Sequence, residues 1–312
     1  MLKRPNLHDL PLAIHTPDRL RLAYTGTGSG ELTVLYLHGL LADSSFWAPL
    51  IEHLTPHVAD RARQFAYDAR GHGRSDWPRP TATTDFGVLA DDLALVIDTI
   101  SGPVVLVAHS IGGYVVLEYA RRHRSQLADR VGEVVMFAVA GEEPDWPALR
   151  TFRPAARSLR WMRHRGPLDV INAAGHSYLE SKLRSLAAHA KPGRAQLIPS
   201  IHPVDPRATA DICTNVTVFE VDDDIARSLS AVPVSICTAE FDKVVPPAQS
   251  RRVAHRIPGA YLHHIPGAGH SLPLVDPASA AAPIICAVDR LTGGATQTHP
   301  APVLARSMRD SR

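Results

Sequence analysis

The sequence predicts an α/β protein built on a doubly wound, mainly parallel sheet with a helical cap inserted into it. Three observations predict this. Short apolar, β-branched runs such as Val104–Val107 and Val131–Val139 have the composition of strands buried on both faces. Amphipathic stretches of helical spacing alternate with these runs, which is the rhythm of βαβ units. The alternation stops at Gly141 and resumes at Pro233, and the stretch between offers only helix-like pieces separated by prolines.

Taken in order, Leu12–His15 and Leu20–Tyr24 read as two short strands around a Thr16-Pro17-Asp18 turn. Gly26-Thr27-Gly28-Ser29-Gly30 reads as a flexible connection. Leu32–Leu37 is an apolar strand ending in His38-Gly39-Leu40-Leu41, and Ser44–His57 carries Trp47, Leu50, Ile51 and Leu54 at helical spacing. Gln64–Tyr67 is a further short strand that runs into DARGHGRSD at 68–76. Asp85–Ile100 is an amphipathic helix closed by Ser101-Gly102, which feeds the strand beginning at Val104. Past Pro233 the rhythm returns as the strand Val234–Cys237, a helix near Pro247–Arg256, the strand Tyr261–Ile265 and a helix from Pro277 to about Leu291. The organisation expected is a core in two parts, 1–141 and 232–293, a helical cap at 142–231, and a disordered tail at 294–312.

The chain's 312 residues suffice for one large α/β domain with an insertion, and a net charge of +2 gives no global reason to expect nucleic acid as a partner. Cys213, Cys237 and Cys286 are widely spaced and odd in number, as suits buried thiols in a reducing compartment. Met1 to Pro5 is positively charged, but no apolar segment follows it, and no run approaches the length of a membrane span. A soluble, cytoplasmic protein is the expectation. No HExxH or paired CxxC spacing occurs, so neither a metal nor another cofactor is expected.

Chemistry enters at Ala108-His109-Ser110-Ile111-Gly112-Gly113, between the Val104–Val107 strand and a helix-like run. The small residues at 108, 112 and 113 allow a tight strand-to-helix turn that lifts the Ser110 hydroxyl to its apex, with the first helical amides beside it. A serine hydroxyl is a weak nucleophile and needs a histidine base held by a carboxylate. Downstream, Asp242 follows the strand ending at Cys237, and His270 follows the strand Tyr261–Ile265. The order Ser110, Asp242, His270, each on a loop at the carboxyl end of a strand, is the order such a triad takes in doubly wound hydrolases. The backbone N–H groups of Leu40 and Ile111 can form an oxyanion hole, where losing one donor typically costs about 10²–10³ in rate. Alternatives for the acid remain open at Glu240 and at Glu142, Glu143 and Asp145, although the step into Val244-Val245-Pro246 favours Asp242. Asp68, Arg70 and His72 suit locking their loop better than touching substrate.

The set HGL at 38–40, DARGHGRSD at 68–76, AHSIGG at 108–113, AEFDKVVP at 239–246 and GAGHSLPLVDP at 267–277 resembles the α/β-hydrolase superfamily, and within it the capped serine esterases and perhydrolase-like members. The resemblance covers roughly 20–141 and 232–292. It implies Ser110 as nucleophile, His270 as general base and then acid, Asp242 as the residue that orients His270, and Leu40 and Ile111 as oxyanion-hole residues. Ala108 stands where the family more often has glycine, and Ala239 and Phe241 replace the usual residues around the acid. A serine at the elbow separates this chain from dehalogenases and epoxide hydrolases, which carry a carboxylate there.

The insertion is where specificity is expected. Between Arg150 and Arg194 ten Lys and Arg face two acids, a local balance of +8. Arg157, Arg160 and His164 lie opposite Ala155, Leu159 and Met162 on one predicted helix, either as a solvated back or as a face for an anionic surface or carrier. The substrate pocket is expected to draw on His38, His109, Trp146, Trp161 and Met162, and to take a lipophilic small-molecule ester. A carbon–carbon bond hydrolase of ring-cleavage products, a thioesterase, a lactonase and a perhydrolase would use the same residues. A ligand-binding scaffold on this fold is the non-enzymatic alternative.

Overall fold

A computed structural model of the protein describes residues 13–58, 60–79, 81–141 and 204–293. Strands β1 (Ile14–His15) and β2 (Arg21–Leu22) form a small antiparallel pair. The main sheet is built from β3 (Tyr24–Thr27), β4 (Leu32–Leu37), β5 (Ala62–Tyr67), β6 (Val104–His109), β7 (Val131–Phe137), β8 (Val234–Ala239) and β9 (Tyr261–Ile265). Their order across the sheet is β3-β5-β4-β6-β7-β8-β9, all parallel except β3, which runs antiparallel to β5. The predicted doubly wound α/β sheet is therefore the fold observed.

Strand β6 is the central strand, and every one of its residues is buried. Val104, Leu106 and Ala108 face one core; Val105 and Val107 face the other. The first core is covered by α2 (Phe86–Asp98), α3 (Ile111–Arg122) and α6 (Asp223–Leu229), which bring in Leu93, Val116 and Ile225. The second is covered by α1 (Ala48–Val58) and α9 (Pro277–Thr292), through Leu50, Leu54, Ile284 and Val288. Helices α4 (Arg124–Arg130), α5 (Pro206–Val216), α7 (Pro247–Arg256) and the short α8 (Leu272–Val275) complete the described α-helices, and a 3₁₀ turn, Ser44–Trp47, leads into α1.

The sequence reading is corrected at β3 and β5. Gly26 and Thr27, expected in a flexible connection, belong to β3 and pair with Phe65 and Gln64. Strand β5 starts two residues early, at Ala62, and its polar residues find partners across the fold: Arg63 donates from Nη2 to Ser101 O at 2.8 Å, and Gln64 accepts from the Tyr36 hydroxyl at 2.6 Å. The described end of the 142–231 stretch packs on the core. Asp205 N–H donates to Gly71 O at 2.7 Å, Val221 N–H to Gly141 O at 2.6 Å, and Ile212, Ile225 and Leu229 are buried. Residues 142–203, with the basic run, and the tail at 294–312 lie outside the described residues. Among the described residues no helix is long and apolar enough to cross a membrane.

Glu133, near the amino end of the sheet, is a pH-sensitive group. The Glu133 side chain on β7 is fully buried, and Arg290 Nη1 lies 2.5 Å from it. Burial outweighs the guanidinium and pushes its carboxyl from 4.5 up to about 7. Between these values the folded chain holds a proton that the unfolded chain has released. The stability so gained is full below the unfolded value and is lost as pH rises through the folded one. The urea midpoint of the wild-type protein should therefore fall relative to that of Glu133→Gln between about pH 5 and about pH 8. Parallel midpoints across that range would refute the assignment.

Candidate active site

Ser110 sits where β6 becomes α3, with φ 52° and ψ −115°. A non-glycine residue there costs on the order of 1–3 kcal/mol, so the surroundings must hold it. They do so from both sides. Ser110 N–H donates to Phe137 O of β7 at 2.9 Å, and Ser110 O accepts from Gly113 N–H at 2.9 Å. Gly112 lets the helix start close against β4, since a Cβ there would lie 2.6 Å from Leu37 O. Gly113 makes room for Val139, whose Cγ2 would meet a Cβ at 2.6 Å. Two of the small residues read from the sequence thus have identifiable contacts.

The His38-Gly39-Leu40 loop passes directly beside the nucleophile: a Cβ on Gly39 would lie 3.3 Å from Ser110 Cβ. His38 is buried, accepts from Ala69 N–H at Nε2 (3.0 Å), and so donates from Nδ1 to Gly39 O at 2.8 Å. That bond fixes the Gly39–Leu40 peptide, whose trans geometry turns the Leu40 N–H away from the held carbonyl. Ile111 is the first residue of α3, a position whose N–H has no partner within its own helix. The arrangement can present two backbone donors to a developing oxyanion. A small, largely apolar hollow opens nearby, walled in part by Leu37, His38, Leu89, Ile111, Val115 and Ile212.

Asp242 and His270 emerge from the carboxyl ends of β8 and β9 and meet. His270 Nδ1–H donates to Asp242 Oδ2 at 2.9 Å, and the carboxylate side chain is fully buried. Its other oxygen accepts from Val244 N–H at 2.9 Å and Val245 N–H at 2.8 Å. Glu240 does something else: it is exposed and accepts from Gly267 N–H at 2.8 Å. Glu142, Glu143 and Asp145 lie outside the described residues, as do Trp146, Trp161 and Met162. Asp68 ties its loop to the neighbouring one, accepting from Ser44 N–H at 2.7 Å and Arg74 N–H at 2.9 Å. Arg70 is held by Asp92 at 2.6 Å.

His109, taken from the sequence as a pocket residue, is 4% exposed. Its ring stacks on Phe46 at 4.6 Å and meets the ring of His270 at 4.8 Å. Nε2–H donates to His270 O at 2.8 Å. Burial drives its pKa well below the usual histidine value, so the ring is neutral. Since His109 adjoins Ser110 in the chain, Ser110 and His270 share one end of the sheet. Two contributors had no motif to announce them. Phe137 anchors the Ser110 amide, and the next residue, Ala138, also has a positive φ of 52°.

A family profile described as alpha/beta hydrolase fold matches residues 33–277. Among solved structures, a thermophilic esterase from Thermogutta terrifontis superposes with a TM-score of 0.68 at 26% identity, covering 93% of this chain and 100% of that one. The enol-lactonase from Burkholderia xenovorans LB400 gives a TM-score of 0.64 at 22% identity, covering 85% of this chain and 96% of that one. Among curated proteins, one from Caulobacter segnis, provisionally named carbamate hydrolase RutD, is 28% identical over 258 residues, 80% of this chain and 88% of that one. "Probable oxidoreductase EphD" of Mycobacterium tuberculosis is 32% identical over 144 residues, 45% of this chain. The match spans only 23% of the length of that protein.

Proposed function

The chain belongs to the alpha/beta hydrolase fold family, and from that premise we propose that it is a serine hydrolase cleaving carboxylic esters of lipophilic small molecules. The observation that carries this reading is the Asp242–His270 pair, hydrogen-bonded at 2.9 Å and tied through His109 to the strand end that carries Ser110. In this reading Asp242 fixes the Nδ1–H tautomer, leaving His270 Nε2 to take the Ser110 proton. The alkoxide attacks the ester carbonyl, and the Leu40 and Ile111 amides receive the charge on its oxygen. His270 then protonates the departing alcohol and primes a water that hydrolyses the acyl-enzyme. The apolar wall of Leu37, Leu89, Ile111, Val115 and Ile212 supports a lipophilic substrate. A fluorophosphonate should add one mass equivalent at Ser110, with p-nitrophenyl esters turned over by the unlabelled protein. A protein that takes no label and turns over no ester is not this enzyme.

The likeness to RutD supports a second reading, carbamate cleavage through the same acyl-enzyme. The two differ in the atom that His270 protonates as it leaves, a nitrogen in the carbamate and an oxygen in the ester. Matched ester and carbamate substrates, compared by kcat/KM, separate them.

The same loop geometry yields a further expected result. In Gly39→Ala the new methyl would stand 2.9 Å from His109 Nδ1 and 3.3 Å from Ser110 Cβ, so the loop must shift. Displacing a donor there should lower kcat for ester hydrolysis by about 10–10²-fold with a smaller change in KM. A variant as fast as wild type would remove this loop from the oxyanion site.

A further inference from the structure

The residue before the nucleophile has a second role beyond filling space. We propose that His109 is a positioning residue for the base: through its Nε2–H it clips the main chain of His270 to the end of the nucleophile strand. This rests on the reading of Ser110, Asp242 and His270 as the catalytic set.

The argument starts from where the two halves of the site hang. Ser110 sits on central strand β6, whereas His270 follows β9, three places away at the edge of the sheet. Asp242 grips the His270 ring at Nδ1 only, and a ring held at one atom can still swing with its loop. The loop itself is open to water at Pro266 and Gly267, and Gly269 is half-buried. Across that span, His109 Nε2–H to His270 O at 2.8 Å is a direct tie from the nucleophile strand to the backbone of the base.

The donor is built for this task. Phe46 stacks on the imidazole at 4.6 Å and Trp47 meets it edge-on at 6.4 Å, leaving one orientation. Nδ1 is buried with no hydrogen-bond partner, and a Cβ on Gly39 would lie 2.9 Å from it. A buried nitrogen without a partner is costly, so the ring is kept for what its other nitrogen does. The neutral state imposed by burial leaves a single proton, and the carbonyl of His270 places it on Nε2. A misplacement of about 1 Å between nucleophile and base can cost on the order of 10²-fold in rate, which is what the tie prevents.

The test compares replacements at this position, read by p-nitrophenyl acetate kinetics. Glutamine carries its amide nitrogen to the place of Nε2; asparagine ends where Nδ1 ends and cannot reach His270 O. His109→Gln should retain kcat within about threefold, whereas His109→Asn should lose about 10–10²-fold in kcat with KM changed little. His109→Leu, which fills the space without a donor, should behave as asparagine does. The rate of fluorophosphonate acylation of Ser110 should fall in the same order. Equal kcat in the glutamine and asparagine variants, or an unimpaired asparagine variant, overturns the proposal. Ser110→Ala run alongside keeps the failures apart. If it remains active, the catalytic reading itself is wrong. If it is inactive while the asparagine variant matches wild type, only the role of His109 falls.

Discussion

Ser110→Ala should abolish hydrolysis of p-nitrophenyl esters, lowering kcat by about 10⁴-fold or more while leaving the thermal midpoint close to that of wild type. The fold does not depend on the hydroxyl. What holds the turn is backbone: the Ser110 amide on Phe137 O and the Gly113 amide on Ser110 O, both at 2.9 Å. Alanine keeps both bonds and meets the same strain at φ 52°. Lost activity in an intact protein therefore reads directly on the nucleophile. Turnover within tenfold of wild type in purified variant would move the chemistry to another residue.

Asp242→Asn should cost about 10³–10⁴-fold in kcat. The asparagine oxygen can still accept the Val244 and Val245 amides, which hold the carboxylate at 2.9 and 2.8 Å, so the loop keeps its shape. Its NH₂ then faces His270 Nδ1, and a donor there selects the tautomer with the proton on Nε2. That imidazole cannot take a proton from serine. Glu240→Gln makes the control, because Glu240 is exposed and holds only the Gly267 amide. Its kcat should stay within a few-fold of wild type. Should the two variants swap these outcomes, Glu240 is the acid.

Much of this architecture was readable from residue pattern because the central strands are nearly pure hydrocarbon. Leu32–Leu37, Tyr261–Ile265 and Pro247–Arg256 have the bounds in the structure that their sequence indicates. The start of strand β5 resisted because Arg63 interrupts its apolar run, and the partner that makes it acceptable there is Ser101, 38 positions away. Strand β3 resisted because glycines at 26, 28 and 30 resemble a linker, and only the edge offered by β5 turns part of them into a strand. The sharp turn at Ser110 and the meeting of Asp242 with His270 were legible because each residue follows an apolar run at a turn. The His109–His270 bond was not, since a carbonyl acceptor 161 positions away leaves no trace in side-chain identity.

The chain leaves the sheet after β7 and returns on β8, and these two strands lie side by side in parallel, Val134 opposite Val234 and Phe137 opposite Cys237. Everything between them is thus spliced in at a seam whose two lips are already stitched together. The spacing between Ser110 and Asp242 is set by the adjacency of β6, β7 and β8, not by the length of chain that separates the last two.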